Sequence, residues 1–392
     1  MRGYRFSLRN RVPFQERKTA LRGVVDVATG RYPRFLFGGP IGSWLPVFHF
    51  HEVHPKALEP YFRYLVENGY RTATSEALSA FVRRGVSCGP RAVVLCFDDA
   101  WSSLWVAAAP LLRKYDLTAI AYVAPDRVPD TNGVRPQWPP ESTPETAAPG
   151  SDIDRRRPLF CSWDELRALQ SGGCVDVQAH SRRHATIFAS DRVVDFVRPL
   201  HRMHPHDMPW MVTEGDERFP CREDLGAPLF QSRSRLSDAR RWIAPHALQA
   251  CTSHVSQHGG ASYFDEADWQ PRLMDVLRGA EPGRLETEQE RNDAIVDEVA
   301  GGRERIETAL GATVRQICFP WGIAGRTAVE AASHAGYETA FSDRLGGCRS
   351  VRRGDPPYRL MRLRHELIFC LPGKGRTWFF GRKPLKASSG LD

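Results

Sequence analysis

The feature that most constrains this chain is an alternation of short apolar runs with helical segments, which begins near residue 45. Apolar runs at 92–97, 118–123, 175–179 and 314–319 are separated by segments with helical periodicity. Continuous apolar runs of this length are typical of strands buried on both faces of a parallel sheet. The repeated strand–helix order therefore predicts an α/β fold, a parallel sheet or barrel with helices outside it.

Two segments interrupt this alternation. Residues 126–158 are rich in Pro, Thr, Ser, Gly and Asp, which predicts a long loop. Residues 189–286 are long enough to fold as an inserted subdomain, with a helix predicted over Leu236–Cys251. The predicted organisation has five parts, in chain order: a basic N-terminal extension (1–44), the first part of the main domain (45–188), the insertion (189–286), the second part of the main domain (287–370) and a basic aromatic tail (371–392).

The net charge of +8 lies at the two ends of the sequence. Residues 1–40 contribute +7 and residues 371–392 contribute +4, so the remaining 330 residues have a net charge of −3. A near-neutral body does not favour a nucleic-acid substrate. Cations and aromatics mixed at 378–386 suit peripheral membrane contact through the basic tails, and an ordinary solvated tail is the alternative.

Hydropathy predicts a cytoplasmic protein that is either free or peripheral at a membrane. No run approaches the roughly 20 apolar residues that a membrane span needs. The first residues lack the apolar core of a secretory signal. We therefore expect the chain to stay in the compartment where it is made.

An acidic pair, Asp98 and Asp99, follows the apolar run at 92–97. Two adjacent carboxylates at the end of a buried strand repel each other and lose hydration, which a bound metal ion would compensate. At the end of a strand the chain turns, so both side chains can face one pocket. The alternative for this pair alone is a turn or a helix cap, since Asp is common in both.

A histidine pair, His180 and His184, follows the run at 175–179. Two His at this spacing can converge on one metal ion, and with one carboxylate they leave a coordination position open, as in catalytic zinc sites. The ligand set suits Zn²⁺ and also Co²⁺, Ni²⁺ or Fe²⁺. A third turn, Pro320-Trp321-Gly322, follows the run at 314–319 and could equally be an ordinary turn with a packed Trp.

Together these segments resemble the polysaccharide deacetylase family, the carbohydrate esterases with NodB homology. The sequence C-F-D-D-A at 96–100 is similar to the family motif T-F-D-D-G, and H-S-R-R-H at 180–184 fits H-[S/T]-x-x-H. F-P-W-G at 319–322 is similar to the Y-P-[YF]-G turn, and L-R-H at 363–365 resembles L-x-H. The resemblance implies a distorted (β/α)7-type barrel, here with a long inserted subdomain.

The resemblance also implies a role for each matching residue. Asp99, His180 and His184 would bind the metal, and Asp98 would be the general base. The backbone N–H of Trp321 would stabilise the oxyanion, and His365 would be the general acid. Pro320, Trp321 and Gly322 would form the turn that lines the sugar groove. The implied activity is metal-dependent removal of N-acetyl groups from an amino sugar of a polysaccharide or glycoconjugate. The alternatives are hydrolysis of a non-sugar amide on the same fold, and an inactive glycan-binding relative.

The chain departs from the family pattern at two positions. Ala100 replaces the usual Gly, which is a mild change if its backbone stays at negative φ. Cys318 stands where some members carry an Arg that orients the base, so the partner of Asp98 is unassigned. Arg362, Arg364 and His51 are candidates for supporting roles around the site.

Overall fold

The computed structural model describes residues 33–130, 133–138, 159–199, 209–213, 216–342 and 351–377. Most of the predicted basic extension and the aromatic part of the predicted tail lie outside these ranges. The chain divides into two compact units. The described residues of His184–Asp297 and Ile323–Ala328 form one, called here the insertion unit. Those of Thr19–Arg183, Glu298–Gly322 and Val329–Asp392 form the other, the barrel unit. The five predicted segment boundaries remain a prediction.

The strands are short, and most of the buried apolar runs predicted from the sequence are among them. In chain order they are β1 (Trp44–Leu45), β2 (Val47–Phe50), β3 (Arg71–Thr72), β4 (Ala92–Asp98), β5 (Ala119–Val123), β6 (Val175–Ala179), β7 (Thr186–Phe196), β8 (Met211–Thr213), β9 (Asp216–Arg218), β10 (Pro228–Ser234), β11 (Trp242–Ile243), β12 (Arg284–Leu285), β13 (Gln316–Cys318), β14 (Thr339–Phe341), β15 (Val351–Arg352) and β16 (Leu363–Arg364).

Two of the described helices, Trp163–Ser171 and Glu288–Val296, begin where their capping residues predict. In chain order they are α1 (Pro55–Glu67), α2 (Ser75–Arg84), α3 (Ala109–Lys114), α4 (Trp163–Ser171), α5 (Pro245–Gln257), α6 (Trp269–Gly279), α7 (Glu288–Val296), α8 (Gly302–Leu310) and α9 (Arg326–His334). Ser162 and Thr287 each form a capping box, with Glu165 and Glu290, as their spacing predicts.

The barrel unit is built on one parallel sheet with the strand order β14-β13-β6-β5-β4-β2-β16, to which β3 adds beside β4. Every pairing in this sheet is parallel. An isolated parallel bridge from Phe341 to Leu360 connects β14 to the segment that leads into β16, so the two ends of the order meet. The predicted distorted (β/α)7-type barrel is confirmed.

The sheet is buried because the strands are apolar along their whole length. All seven residues of β4 and all five of β5 are buried, as expected for central parallel strands covered by helices on one side and side chains on the other. After β4 the chain forms a π-helical turn at Leu104–Ala108 before α3 begins. π-Helical turns are rare overall, and those that do occur are often found at functional sites.

The insertion unit has its own core. A long antiparallel ladder joins β7 to β10, and Phe188, Leu229 and Leu248 are among the side chains packed together there. A helix predicted from Leu236 is wrong, because Asp238 has φ 63° and the helix begins only at Pro245. None of the described helices is both long enough and apolar enough to cross a bilayer.

Candidate active site

Five strands of the barrel unit end at the same edge of the sheet, and a polar residue stands at or beside each end. β2 is followed by His51, β4 ends at Asp98, β6 is followed by His180 and β16 by His365, while the turn at Pro320–Gly322 comes just after β13. Because the carboxyl ends of parallel strands lie together, the barrel gathers motifs that are up to 314 residues apart in sequence. The motifs singled out in the sequence therefore lie at one edge of the sheet.

The candidate metal ligands lie close together. One ligand atom from each of Asp99, His180 and His184 lies within 4.8 Å of the other two, and all three residues are buried. His180 directly follows β6, and His184 lies four residues further along the chain. A carboxylate and two imidazoles at this separation fit a divalent metal ion such as Zn²⁺.

The orientation of His180 favours this use. Its Nδ1 lies 2.5 Å from the backbone carbonyl oxygen of Cys318, which can only accept, so Nδ1 carries the proton. The other nitrogen, Nε2, lies 3.4 Å from Oδ1 of Asp99. Burial lowers the pKa of His180, although Asp98 and Asp99 act to raise it. A neutral imidazole whose second nitrogen is fixed by a carbonyl is the usual form of a histidine metal ligand.

Asp98 is held by a guanidinium that was only one of three candidates from the sequence. Arg362 donates from Nη1 to Oδ1 over 2.5 Å and from Nη2 to Oδ2 over 2.7 Å. Burial alone would raise the pKa of Asp98, but Arg362 holds that pKa well below its ordinary value. Nε2 of His51 lies 3.6 Å from Oδ2 of Asp98, whereas Arg364 pairs with Glu366 at the surface.

Two other groups of metal-ligating atoms among the described residues share Asp98, one with His49 and His51 and one with His180 and Cys318. Both are poorer metal sites, because the two oxygens of Asp98 already accept from Arg362 and a second cation would be repelled. The Asp99–His180–His184 group is therefore the candidate metal site.

The site is also where the backbone is strained. Eight described residues other than glycine have positive φ, and five of them belong to the three motifs: Asp99, Ala100, Ser181, His184 and Trp321. The left-handed conformation costs an L-residue about 1–2 kcal/mol, and such strain collects where function needs a special geometry. The expectation of negative φ at Ala100 is wrong, since its φ is 51°. The family Gly would suit this position better.

The turn after β13 is well defined. Trp321 has φ 56° and ψ 10°, and the N–H of Gly322 donates to the carbonyl of Phe319 over 2.8 Å. Pro320 has no N–H. The N–H of Gly322 is therefore already used in a hydrogen bond within the turn. The Trp321 side chain is half-buried.

His365 lies at the end of β16, stacked on Phe50 at a centroid distance of 4.8 Å and edge-on to Tyr61. Its Nδ1 is 4.0 Å from Oε2 of Glu366. Burial lowers the pKa of His365, against the effect of Glu366. The contacts with Phe50 and Tyr61 hold the ring in place, and the lowered pKa keeps it largely neutral at pH 7.

Two residues that contact the ligand set were not predicted from the sequence. The indole Nε1 of Trp101 donates to Oδ2 of Asp99 over 3.3 Å, and the buried Nε of Arg127 donates to the carbonyl of Arg183 between the two His ligands. The sequence did hold a signal for the role of Trp101, because this residue directly follows the acidic motif. Arg127 had none, because it reaches the loop from 56 residues away.

Comparison with known proteins agrees with this geometry. Residues 85–205 match the family model described as polysaccharide deacetylase, a range that includes the acidic and histidine motifs. The poly-beta-1,6-N-acetyl-D-glucosamine N-deacetylase of Escherichia coli K12 is 23% identical over 141 residues. That match covers 34% of this chain and only 18% of the relative.

Solved structures with a similar arrangement include two deacetylases. The BpsB deacetylase domain from Bordetella bronchiseptica has 16% identity and a TM-score of 0.49, covering 83% of this chain and 96% of that one. A de-N-acetylase from Aggregatibacter actinomycetemcomitans has 16% identity and a TM-score of 0.46, covering 80% and 97%. The chain is therefore similar to the polysaccharide deacetylases over residues 85–205, a range that holds strands β4, β5 and β6 of the parallel barrel.

Proposed function

We propose that this protein is a metal-dependent hydrolase that removes N-acetyl groups from an amino sugar of a polysaccharide or glycoconjugate. The observation that carries the proposal is the placement of an ionised, buried carboxylate, Asp98, next to the candidate metal ligands. The relative from Escherichia coli is named for the same reaction on poly-beta-1,6-N-acetyl-D-glucosamine.

Asp99, His180 and His184 would hold the metal ion, with Zn²⁺ as the proposed metal and Co²⁺, Ni²⁺ or Fe²⁺ suited to the same ligands. A bound divalent ion supplies a water of lowered pKa and polarises the substrate carbonyl. The hydrogen bonds from His180 Nδ1 to the carbonyl of Cys318 and from Trp101 Nε1 to Asp99 support these ligands. Such outer contacts orient metal ligands and strengthen binding.

Asp98 would accept the proton of the attacking water. Arg362 keeps this carboxylate ionised at neutral pH, which is the state that can accept a proton, and its two hydrogen bonds fix the plane of the carboxylate. The same ion pair lowers the basicity of Asp98, so orientation is the larger contribution of Arg362.

The turn after β13 would bind the reacting carbonyl and the sugar. The N–H of Trp321 is the proposed oxyanion donor, the role that the family resemblance implies for it. The Trp321 ring would form an apolar wall of the sugar groove together with Pro320.

The leaving amine needs a proton, and two imidazoles are near. His365 is the proposed acid, and His51 is its rival, since Nε2 of His51 lies 3.6 Å from Oδ2 of Asp98. His365→Gln should slow substrates with a basic leaving amine more than activated amides. If His51→Gln has this effect instead, the acid is His51.

Metal analysis of purified protein beside Asp99→Ala and His184→Ala, with acetate release from N-acetylated sugars in parallel, tests the proposal. About one metal per chain is expected in the wild type, with metal and acetate release both lost in the two variants. His246→Ala changes an exposed histidine outside the site and should leave both unchanged. Metal binding without acetate release from any sugar would instead favour a non-sugar amide.

Peripheral membrane contact through the basic ends and a cytoplasmic location remain predictions. A liposome flotation assay with the full chain and with a variant ending at Leu371 tests the first. Equal flotation of both would contradict a contribution from residues 372–392.

A further inference from the structure

The loop that joins the two histidine ligands is held by contacts with two other segments of the chain. From His180 to His184 the backbone passes through two strained positions, Ser181 with φ 60° and His184 itself with φ 51°. The left-handed region is unfavourable for L-residues, so contacts from outside the loop have to keep it in this conformation. The residues that supply these contacts therefore help to decide where the two imidazoles point.

All four backbone polar groups of the two central loop residues, Arg182 and Arg183, are hydrogen-bonded to these segments. In the segment after β5, the N–H of Asp126 donates to the carbonyl of Arg182 over 3.1 Å. Nε of Arg127 donates to the carbonyl of Arg183 over 2.7 Å. The backbone carbonyl of Glu298 accepts from the N–H of Arg182 over 2.8 Å, and its Oε2 accepts from the N–H of Arg183 over 3.0 Å. One residue, Glu298, therefore satisfies both N–H groups of the central loop residues.

The surroundings of Glu298 hold its side chain in one direction. Glu298 lies in a second π-helical turn, Asp297–Gly301, between α7 and α8, and its side chain is only 3% exposed. Its other oxygen, Oε1, accepts from Nη1 of Arg183 over 3.0 Å. Both carboxylate oxygens therefore accept from the same loop residue, and charge-assisted hydrogen bonds of this kind are strong and directional.

The residue after this turn, Gly302, allows the close approach to the loop. A Cβ at Gly302 would lie 2.9 Å from the backbone N of Arg182 and 3.0 Å from the carbonyl carbon of Ser181. Backbone atoms cannot move aside as the end of a flexible side chain can, so any larger residue would push the loop away from the turn. The segment that carries Glu298 therefore packs directly on the loop between the ligands.

We propose that Glu298 is a positioning residue for the metal site, which fixes the loop between His180 and His184 so that both imidazoles can bind one ion. This inference rests on the proposed function, because it requires the metal site. Outer contacts commonly act on the side chain of a ligand, as the carbonyl of Cys318 does for His180. Glu298 acts on the loop backbone instead. It lies 115 residues from Arg183 in the sequence, so no local sequence signal reveals this role.

Metal affinity tests the inference without relying on activity. Zn²⁺ binding is measured by competition with a chromogenic chelator, and the visible absorption bands of bound Co²⁺ report the geometry of its ligands. Glu298→Ala should raise the dissociation constant for Zn²⁺ about tenfold or more and change the Co²⁺ spectrum. Glu298→Gln keeps an oxygen that can accept from the N–H of Arg183 and loses only the ion pair. Its dissociation constant should stay within about threefold of the wild type, below the effect typical of a lost outer contact.

Matched variants separate positioning from a general loss of stability. Glu286→Ala removes another buried, ion-paired carboxylate, which belongs to the insertion unit, and should leave Zn²⁺ affinity unchanged. Gly302→Ala crowds the loop without removing a charge and should weaken Zn²⁺ binding about tenfold or more. Gly279→Ala adds a methyl group where nothing lies within 4 Å and should leave the affinity unchanged. Gly302→Ala keeps the inference testable if Glu298→Ala does not fold, because it moves the same loop against the same turn.

The outcomes also separate this inference from the proposed function. Wild-type affinity in Glu298→Ala or in Gly302→Ala would overturn the positioning role and leave the deacetylase standing. An equal loss in Glu298→Gln and Glu298→Ala would overturn it too, because the charge and not the hydrogen bond to the loop would then matter. Weaker metal binding in the expected pattern supports the role even if the wild type releases no acetate. A wild type that binds no metal would overturn both the role and the metal-dependent mechanism.

Discussion

Replacing Arg362 with Gln tests the most consequential contact in the site, the buried ion pair with Asp98. The wild-type pair is bidentate, and the side chain of Asp98 is only 2% exposed. Removing one partner of such a pair costs about 3–5 kcal/mol of unfolding free energy, because the other charge stays buried. We therefore expect Arg362→Gln to lower stability by this amount at pH 7, measured by urea unfolding of metal-free protein.

The pH dependence of this loss identifies its cause. In the wild type the pKa of Asp98 lies well below its ordinary value of about 3.9. The pair therefore stabilises the fold above about pH 3.9, and this contribution is lost only as pH falls through the lower native pKa. In Arg362→Gln, burial would raise the native pKa above 3.9. The variant then loses stability as pH rises from about 4, and the gap to the wild type widens by about 1.4 kcal/mol per pH unit.

Two comparisons make the experiment decisive. Arg364→Gln removes an exposed partner of Glu366 two residues away and should cost less than about 0.5 kcal/mol at any pH. Arg362→Gln with Asp98→Asn should recover much of the loss, since no buried charge remains. A gap between the wild type and Arg362→Gln that stays constant from pH 3.5 to 6.5 would refute the reasoning.

Three further changes have defined outcomes. Ala100→Gly should raise the free energy of unfolding by about 0.5–1 kcal/mol, and with it the urea midpoint, because glycine adopts the positive φ without strain. An unchanged or lower midpoint would argue against strain there. Arg235→Met should lower the free energy of unfolding by about 3–5 kcal/mol, because it leaves the buried carboxylate of Glu286 without the guanidinium of Arg235. Arg235→Met with Glu286→Leu should restore most of that loss in the same urea melts, and no recovery would contradict the ion-pair explanation. Ser162→Ala should cost about 1 kcal/mol through loss of the capping box, and equal melts of variant and wild type would contradict it.

Much of the barrel could be predicted from the sequence because its signals are local. The apolar runs that form β4, β5 and β6, and the caps at Ser162 and Thr287, depend on neighbours within a few residues. The ends of the strands could not be predicted in the same way. β13 covers only Gln316–Cys318 of a longer apolar run, because hydrogen bonding to neighbouring strands decides where a strand ends. The predicted start of α5 was wrong for a similar reason, because the backbone conformation of Asp238 depends on the fold around it.

The sequence by itself determined the chemistry that is available: an acidic pair, a histidine pair and a turn, each following a strand, and a family pattern that assigns them roles. Only the tertiary structure decided which guanidinium holds Asp98, because Arg362 lies 264 residues further along the chain. It also decided that Ala100 takes a strained backbone and that Arg182, Arg183 and Arg305 meet at Asp126. The physical reason is common to all three. Charge pairing and backbone strain depend on distances that the closed sheet creates, whereas apolar periodicity and capping act within a few residues of chain.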